Sequence, residues 1–147
     1  MSGGSGDLSG FSMMELFQEE VASFGPGLEK GLVGLGADPA AGAGTGIDAL
    51  MRAAHSLKGA ARVVGLDPIV TLAHAMEDCL VAVQRGTIPA TPPLVDALLS
   101  GNDLLREIGR CPPTEAAAFL EDRASRIEGE AVAIRRLAEG RPGEAVA

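Results

Sequence analysis

From Ile47 to Val64 the chain reads IDALMRAAHSLKGAARVV, with apolar residues recurring every three or four positions. At about 100° per residue, Leu50, Ala54, Leu57, Ala61 and Val64 share one stripe, while Asp48, Arg52, His55, Lys58, Gly59 and Arg62 gather opposite. Whatever else the chain does, it must pack the apolar side of this helix. His55 then points away from the core, where an outside reactant can reach its ring. Lys58 follows one turn later, bringing an ammonium to the same side. Gly59 is harder to explain by folding, because glycine inside a helix costs about 1 kcal/mol relative to alanine. Its effect there is to strip bulk from the surface beside the imidazole.

The remaining sequence supplies packing partners of the same kind. Ser12, with Glu15 three residues on, reads as a capping box for a helix through Met13, Leu16, Phe17, Val21 and Phe24. Gly25-Pro26 interrupts it, yet Leu28, Leu32 and Leu35 keep the helical spacing, which predicts a kinked or restarted helix. Residues 36–46 (GADPAAGAGTG) form a small-residue loop, and Gly65 closes the His55 helix. Asp67-Pro68 supplies an N-cap and a proline at the first helical position, opening a helix to about Arg85. Its stripe is Ile69, Leu72, Ala73, Met76, Leu80 and Val83; Thr71, His74, Asp78 and Arg85 face away, with Glu77 at the edge.

After the TIPATPP turn at 87–93, a helix from about Pro92 to Ile108 carries Leu94, Leu98, Leu105 and Ile108. Pro112, Pro113 and Thr114 open a last one from about Glu115 to Leu137, with Phe119, Leu120, Ile127, Ala131 and Ile134 apolar. Residues 1–10 are rich in Gly and Ser and read as a disordered leader, and residues 140–147 as a linker or tail. The prediction is an all-α, antiparallel bundle of about five helices over residues 11–139.

Composition narrows the partners. Twenty acidic against 12 basic residues leave a net charge of −8, which disfavours nucleic acid and anionic lipid and favours a protein. No apolar run approaches the roughly 18 residues of a membrane span. Aromatic residues make up 3% of the chain, so aliphatic side chains and Met must fill the core. Two cysteines, Cys79 and Cys111, make neither a disulfide framework nor a zinc site, and reduced thiols in the cytoplasm are expected. No GxxxxGK[ST] nucleotide loop is present, so the chain is not expected to draw phosphate from ATP by itself.

The stretch AAHSLKGAARVVGL, followed by LAHAMED, resembles the histidine phosphotransfer (HPt) domain, and within it the N-terminal domain of CheA-type chemotaxis histidine kinases. The resemblance implies a four-helix core plus a C-terminal helix, with His55 as the phosphorylated residue and Lys58 beside the phosphate. It also implies that Gly59 is the small residue giving access to the site and that Glu77 and His74 orient the ring; Asp78, Arg52 and Arg62 read as solvated face, with Arg62 a lesser candidate for phosphate or partner contact. Glu77 would accept from Nδ1–H of His55 and leave Nε2 nucleophilic, with His74 supporting Glu77. The implied partners are the ATP-binding domain of a histidine kinase, which alone uses ATP, and the receiver domain of a response regulator. No cofactor or metal of its own is implied, the isolated domain is expected to be monomeric, and the chain is expected to belong to a larger kinase.

Three other readings compete. A non-catalytic adaptor bundle would leave the polar face inert. A metal enzyme could use His55, His74 and Glu77 as ligands, though their spacing lacks the HExxH pattern. A dimerising kinase bundle also displays a helical histidine, commonly followed directly by an acidic residue, where this chain has Ser56.

Overall fold

The computed structural model describes residues 5–38 and 45–140, with side chains over 13–38 and 46–140. Five helices follow in order: α1 (Ser5–Ala37), α2 (Thr45–Val64), α3 (Asp67–Gln84), α4 (Pro92–Arg110) and α5 (Ala116–Ala138). α1 packs on α2 and α4, α2 on α3, and α5 on both α3 and α4. The ring around the core therefore runs α1–α2–α3–α5–α4. α5 closes it by filling the space between α3 and α4, which touch each other little.

The stripes read from the sequence bury as expected along α2 to α5, except that Val64 and Phe119 are only half-buried at the edge of the core. Leu57, Ala61, Ile69, Leu72, Ala73, Leu80, Leu98, Leu105, Ile127 and Ile134 lose all contact with solvent. Removing each large aliphatic side chain from water contributes about 1.5–3 kcal/mol, set against the entropy of ordering the chain. Gly31 marks the close approach of α1 to α2, since a Cβ there would lie 2.3 Å from Leu50 Cδ2.

α1 departs from expectation at its start and at Leu16, and it decides between the alternatives at Gly25-Pro26. Ser12 lies inside the helix and does not cap it, because α1 extends back to Ser5, into the stretch read as a disordered leader; residues 1–4 lie outside the described residues. Once a helix is nucleated, each added residue gains a hydrogen bond at little further cost, so one serine need not stop it. Of the two alternatives at Gly25-Pro26 the restart is ruled out, since α1 runs through Pro26 as one helix. Pro26 and Ala22 are both exposed, so the Ala22 carbonyl that loses its partner to the proline can turn to water. On the opposite side the buried Asn102 donates from Nδ2 to the Gly25 carbonyl at 3.0 Å, pinning the segment to α4.

The other departure is Leu16, which is 60% exposed, while Met14 and Gln18 turn inward. Gln18 is drawn in because its Nε2 donates to the carbonyls of Ile108 at 2.9 Å and Cys111 at 2.7 Å, at the open end of α4.

Between α2 and α3 the chain reverses over two residues. Gly65 adopts φ +82°, and the amides of Gly65 and Leu66 both donate to the Ala61 carbonyl at 2.9 Å. This is the helix ending that favours glycine. Leu66, buried by the same turn, is also the N-cap residue of α3. The expected N-cap at Asp67 therefore falls one place later, inside the first turn, where its charge still suits the positive helix end. Residues 39–44 of the predicted loop and 141–147 of the predicted tail lie outside the described residues.

Candidate functional site

The short reversal at Gly65 sets the register of α2 against α3. His55 faces Glu77, and seven residues back along α2 and seven forward along α3, Asp48 faces Gln84. Gln84 Nε2 donates to Asp48 Oδ1 at 2.5 Å, a second rung two helical turns from the first. Glu77 sits at the edge of the α3 stripe, between buried Met76 and exposed Asp78, so its carboxylate reaches across the hairpin.

That carboxylate joins two residues of α2. Oε2 lies 2.9 Å from His55 Nδ1 and Oε1 lies 2.8 Å from Lys58 Nζ. Oε1 is shielded from solvent, and the Lys58 ammonium pairs with it there. The Glu77 and Lys58 side chains are only 19% and 14% exposed, whereas that of His55 is 66% exposed. Burial pushes the Glu77 carboxyl up, but the hydrogen bonds and charges of Lys58 and His55 outweigh it, and the group ends below its ordinary value of 4.5. Glu77 is thus an anion at neutral pH, and an anion only accepts. Nδ1 of His55 must therefore carry the proton, which leaves the lone pair on Nε2.

Gly59 is exposed, and a Cβ built there would meet no atom within 4 Å. Nothing inside the fold calls for glycine at this position. Val63, one turn further along the same face, is 70% exposed. On the other side of His55 lies a groove of about 520 Å³ lined by Asp48, Met51, Arg52, His55, Ser56 and Glu77. Sequence reasoning noted Asp48 and Arg52 only as members of the polar face, and the shared spacing with His55 was the available signal.

Two expected roles are placed differently. Lys58 does not stand free beside the imidazole, since its ammonium is engaged by Glu77. His74 does not meet Glu77 but pairs with Asp78 one turn on, Nε2 to Oδ2 at 3.3 Å, with both side chains more than half exposed. His55, His74 and Glu77 are accordingly not brought together as a ligand set, and no cluster of three or more metal-binding side chains occurs among the described residues. Arg62 is exposed and makes no ion pair among the described residues. Cys79 is fully buried, and burial together with Asp78 pushes its thiol up to about 12, which makes it inert. No helix among the described residues is long and apolar enough to cross a membrane.

Residues 12–108, which include His55 on the second helix of this all-α bundle, match the family model described as the Hpt domain. The chain belongs to that family. Among its relatives are the chemotaxis protein CheA of Borreliella burgdorferi, 31% identical over 69% of this chain and 12% of that protein, and a CheA of Cereibacter sphaeroides, 39% identical over 42% of this chain and 9% of that one. The chain thus spans a small fraction of the length of the relatives it matches. Among solved structures, the phosphorylated P1 domain of CheA3 in complex with CheY6 from R. sphaeroides superposes with a TM-score of 0.69 at 28% identity, over 88% of this chain and 97% of that one. The family match ends with α4, and the superposition over nearly the whole P1 chain is what brings α5 into the likeness.

Proposed function

We propose that this chain is a phosphorelay module in which His55 Nε2 accepts a phosphoryl group from ATP held by a histidine kinase domain and hands it to a receiver-domain aspartate. The observation that carries the reading is the Glu77 carboxylate 2.9 Å from Nδ1, which leaves the exposed edge of the ring to Nε2. In the first step the Nε2 lone pair attacks the terminal phosphorus as the bond to the ADP oxygen breaks. The ring becomes cationic while Nδ1 keeps its proton, and Glu77 neutralises that charge where it forms. In the second step the Nε2–P bond breaks as an aspartate oxygen of the receiver bonds to phosphorus, and the ring returns to its neutral tautomer. Both steps depend on positioning and electrostatics, so the chain serves as substrate without supplying the catalyst.

Gly59 gives the receiver a bare approach to Nε2, and Arg62 lies on the same face. His74, paired with Asp78, is left with a weak role at most. On this reading the chain works in the cytoplasm, where ATP is available, as a monomeric part of a larger kinase. An inert adaptor bundle would have no use for a mostly buried carboxylate placed between a histidine and a lysine.

A chase tests the reading. The chain is phosphorylated by a histidine kinase ATP-binding domain, freed of nucleotide, and mixed with a CheY-type receiver domain and Mg²⁺. The chain is expected to lose the mass of one phosphoryl group as the receiver gains it. A phosphorylated chain that never passes the group to any such receiver would contradict the relay.

A further inference from the structure

The cation beside the acceptor histidine is not the one that sequence spacing suggests. Lys58 Nζ lies 2.8 Å from Glu77, and its side chain is only 14% exposed. A phosphoryl group on Nε2 therefore finds that lysine already neutralised. The groove beside His55 opens the other way, being lined by Asp48, Met51, Arg52 and Ser56 of α2 together with His55 and Glu77, and by neither Lys58 nor Gly59. This direction follows from helix geometry, because side chains lean toward the helix N-terminus and the His55 ring lies back over the turn that holds Met51 and Arg52.

The charges around that groove are unbalanced. Asp48 reaches across to Gln84, and Glu77 is shared between His55 and Lys58. Further along α3, Asp78 is engaged with His74. A dianionic phosphoryl group would meet the two lining carboxylates with one cation in the groove, Arg52. Arg52 is exposed and has no ion-pair partner among the described residues. At i−3 from His55 its Cβ is about 5–6 Å from that of the histidine, within easy reach of a long side chain.

We propose that Arg52 binds the phosphoryl group carried on His55, its guanidinium fork donating to the phosphoryl oxygens. Two of them presented together match that fork, which a lysine would meet only as a point charge. The assignment rests on the reading of His55 as acceptor, and its test is built to separate the two.

Phosphoramidate is the donor, since it phosphorylates imidazole without a kinase: its N–P bond breaks and ammonia leaves as the Nε2–P bond forms. The intact chain is loaded in wild-type form and as Arg52→Gln, Arg52→Lys and Arg85→Gln, the last removing an exposed cation just beyond the end of α3 and outside the groove. ³¹P NMR then follows the phosphoryl group from its monoanion to its dianion with pH. Arg52→Gln is expected to raise that midpoint by about half a pH unit, because a neighbouring cation favours the dianion. Arg52→Lys should recover part of the shift and Arg85→Gln should leave the wild-type value. Equal midpoints in wild type and Arg52→Gln, or an equal shift in Arg85→Gln, would overturn the role of Arg52 while leaving His55 as acceptor. Failure of His55 to take any phosphoryl group would overturn both assignments.

Discussion

The two faces of α2 are parts of one helix, yet the fold constrains them very differently. On the inner face Leu57 and Ala61 have no exposed surface, and nearby Leu50 packs so closely on α1 that a Cβ at Gly31 would come within 2.3 Å of it. On the outer face Gly59 has open space where a Cβ would go, Val63 is 70% exposed, and Arg52 is exposed with no ion-pair partner among the described residues. Gly31 is explained by its neighbour and Gly59 is not. Where the interior gives no reason for a residue, the reason lies with something that approaches from outside. Changes on the inner face should therefore be read out in stability, and changes on the outer face in phosphoryl transfer.

The largest expected effect belongs to the inner face. Leu57→Ala removes a fully buried side chain and should lower stability by about 2–5 kcal/mol, measured by urea unfolding. If folded Leu57→Ala kept its stability and lost phosphorylation instead, the division between the faces would be wrong.

Glu77 lies on the boundary and should move both readouts. Glu77→Ala should slow phosphorylation of His55 by about 10²-fold, the low end for orienting groups, with initial rates measured against a fixed kinase domain. It should also cost stability, because it strands the Lys58 ammonium at 14% exposure. The pH dependence has a definite sign. A carboxyl held below its ordinary 4.5 contributes stability above that value and loses it as pH falls through the lowered one. Wild type should therefore show an acid-side loss of thermal midpoint that Glu77→Gln lacks.

Gly59→Ala sharpens the contrast, because its two effects should have opposite signs. With no atom within 4 Å of the new Cβ, it should stabilise the helix by up to about 1 kcal/mol while slowing transfer to a receiver domain. A more stable variant that transfers at the wild-type rate would remove Gly59 from the docking surface. The smallest effect is expected of His74→Ala. Its ring meets exposed Asp78 and not Glu77, so the phosphorylation rate should stay within a factor of about two and stability within about 0.5 kcal/mol.

Much of this was legible in the sequence because the information was local. A stripe such as Ile69, Leu72, Ala73, Met76 and Leu80 fixes both the existence of a helix and its inward face. Gly65 announced the end of α2 for a reason that lies in its own backbone. The pairing of His55 with Glu77 comes from the resemblance to CheA-type domains, and the tight hairpin at Gly65 is what holds them in that register. The errors and the open alternative arose where the deciding contact is distant. Pro26 reads as a kink or a restart until Asn102, far along the chain, is seen to hold the carbonyl of Gly25. Leu16 looks like core until Gln18 takes the inward place to serve the end of α4. Lys58 and His74 each had a plausible neighbour at helical spacing. Lys58 meets Glu77 because packing of the ring brings α3 against α2, whereas His74 meets Asp78 one turn on within α3 itself.

The central claim is that the outer face of α2 is built around one acceptor atom. Its most direct test is intact mass, with site mapping, of wild type and His55→Gln after incubation with a histidine kinase ATP-binding domain and ATP. Wild type should gain one phosphoryl group, mapped to His55, and His55→Gln should gain none while unfolding at the wild-type midpoint. A phosphoryl group on the folded His55→Gln variant would contradict the account.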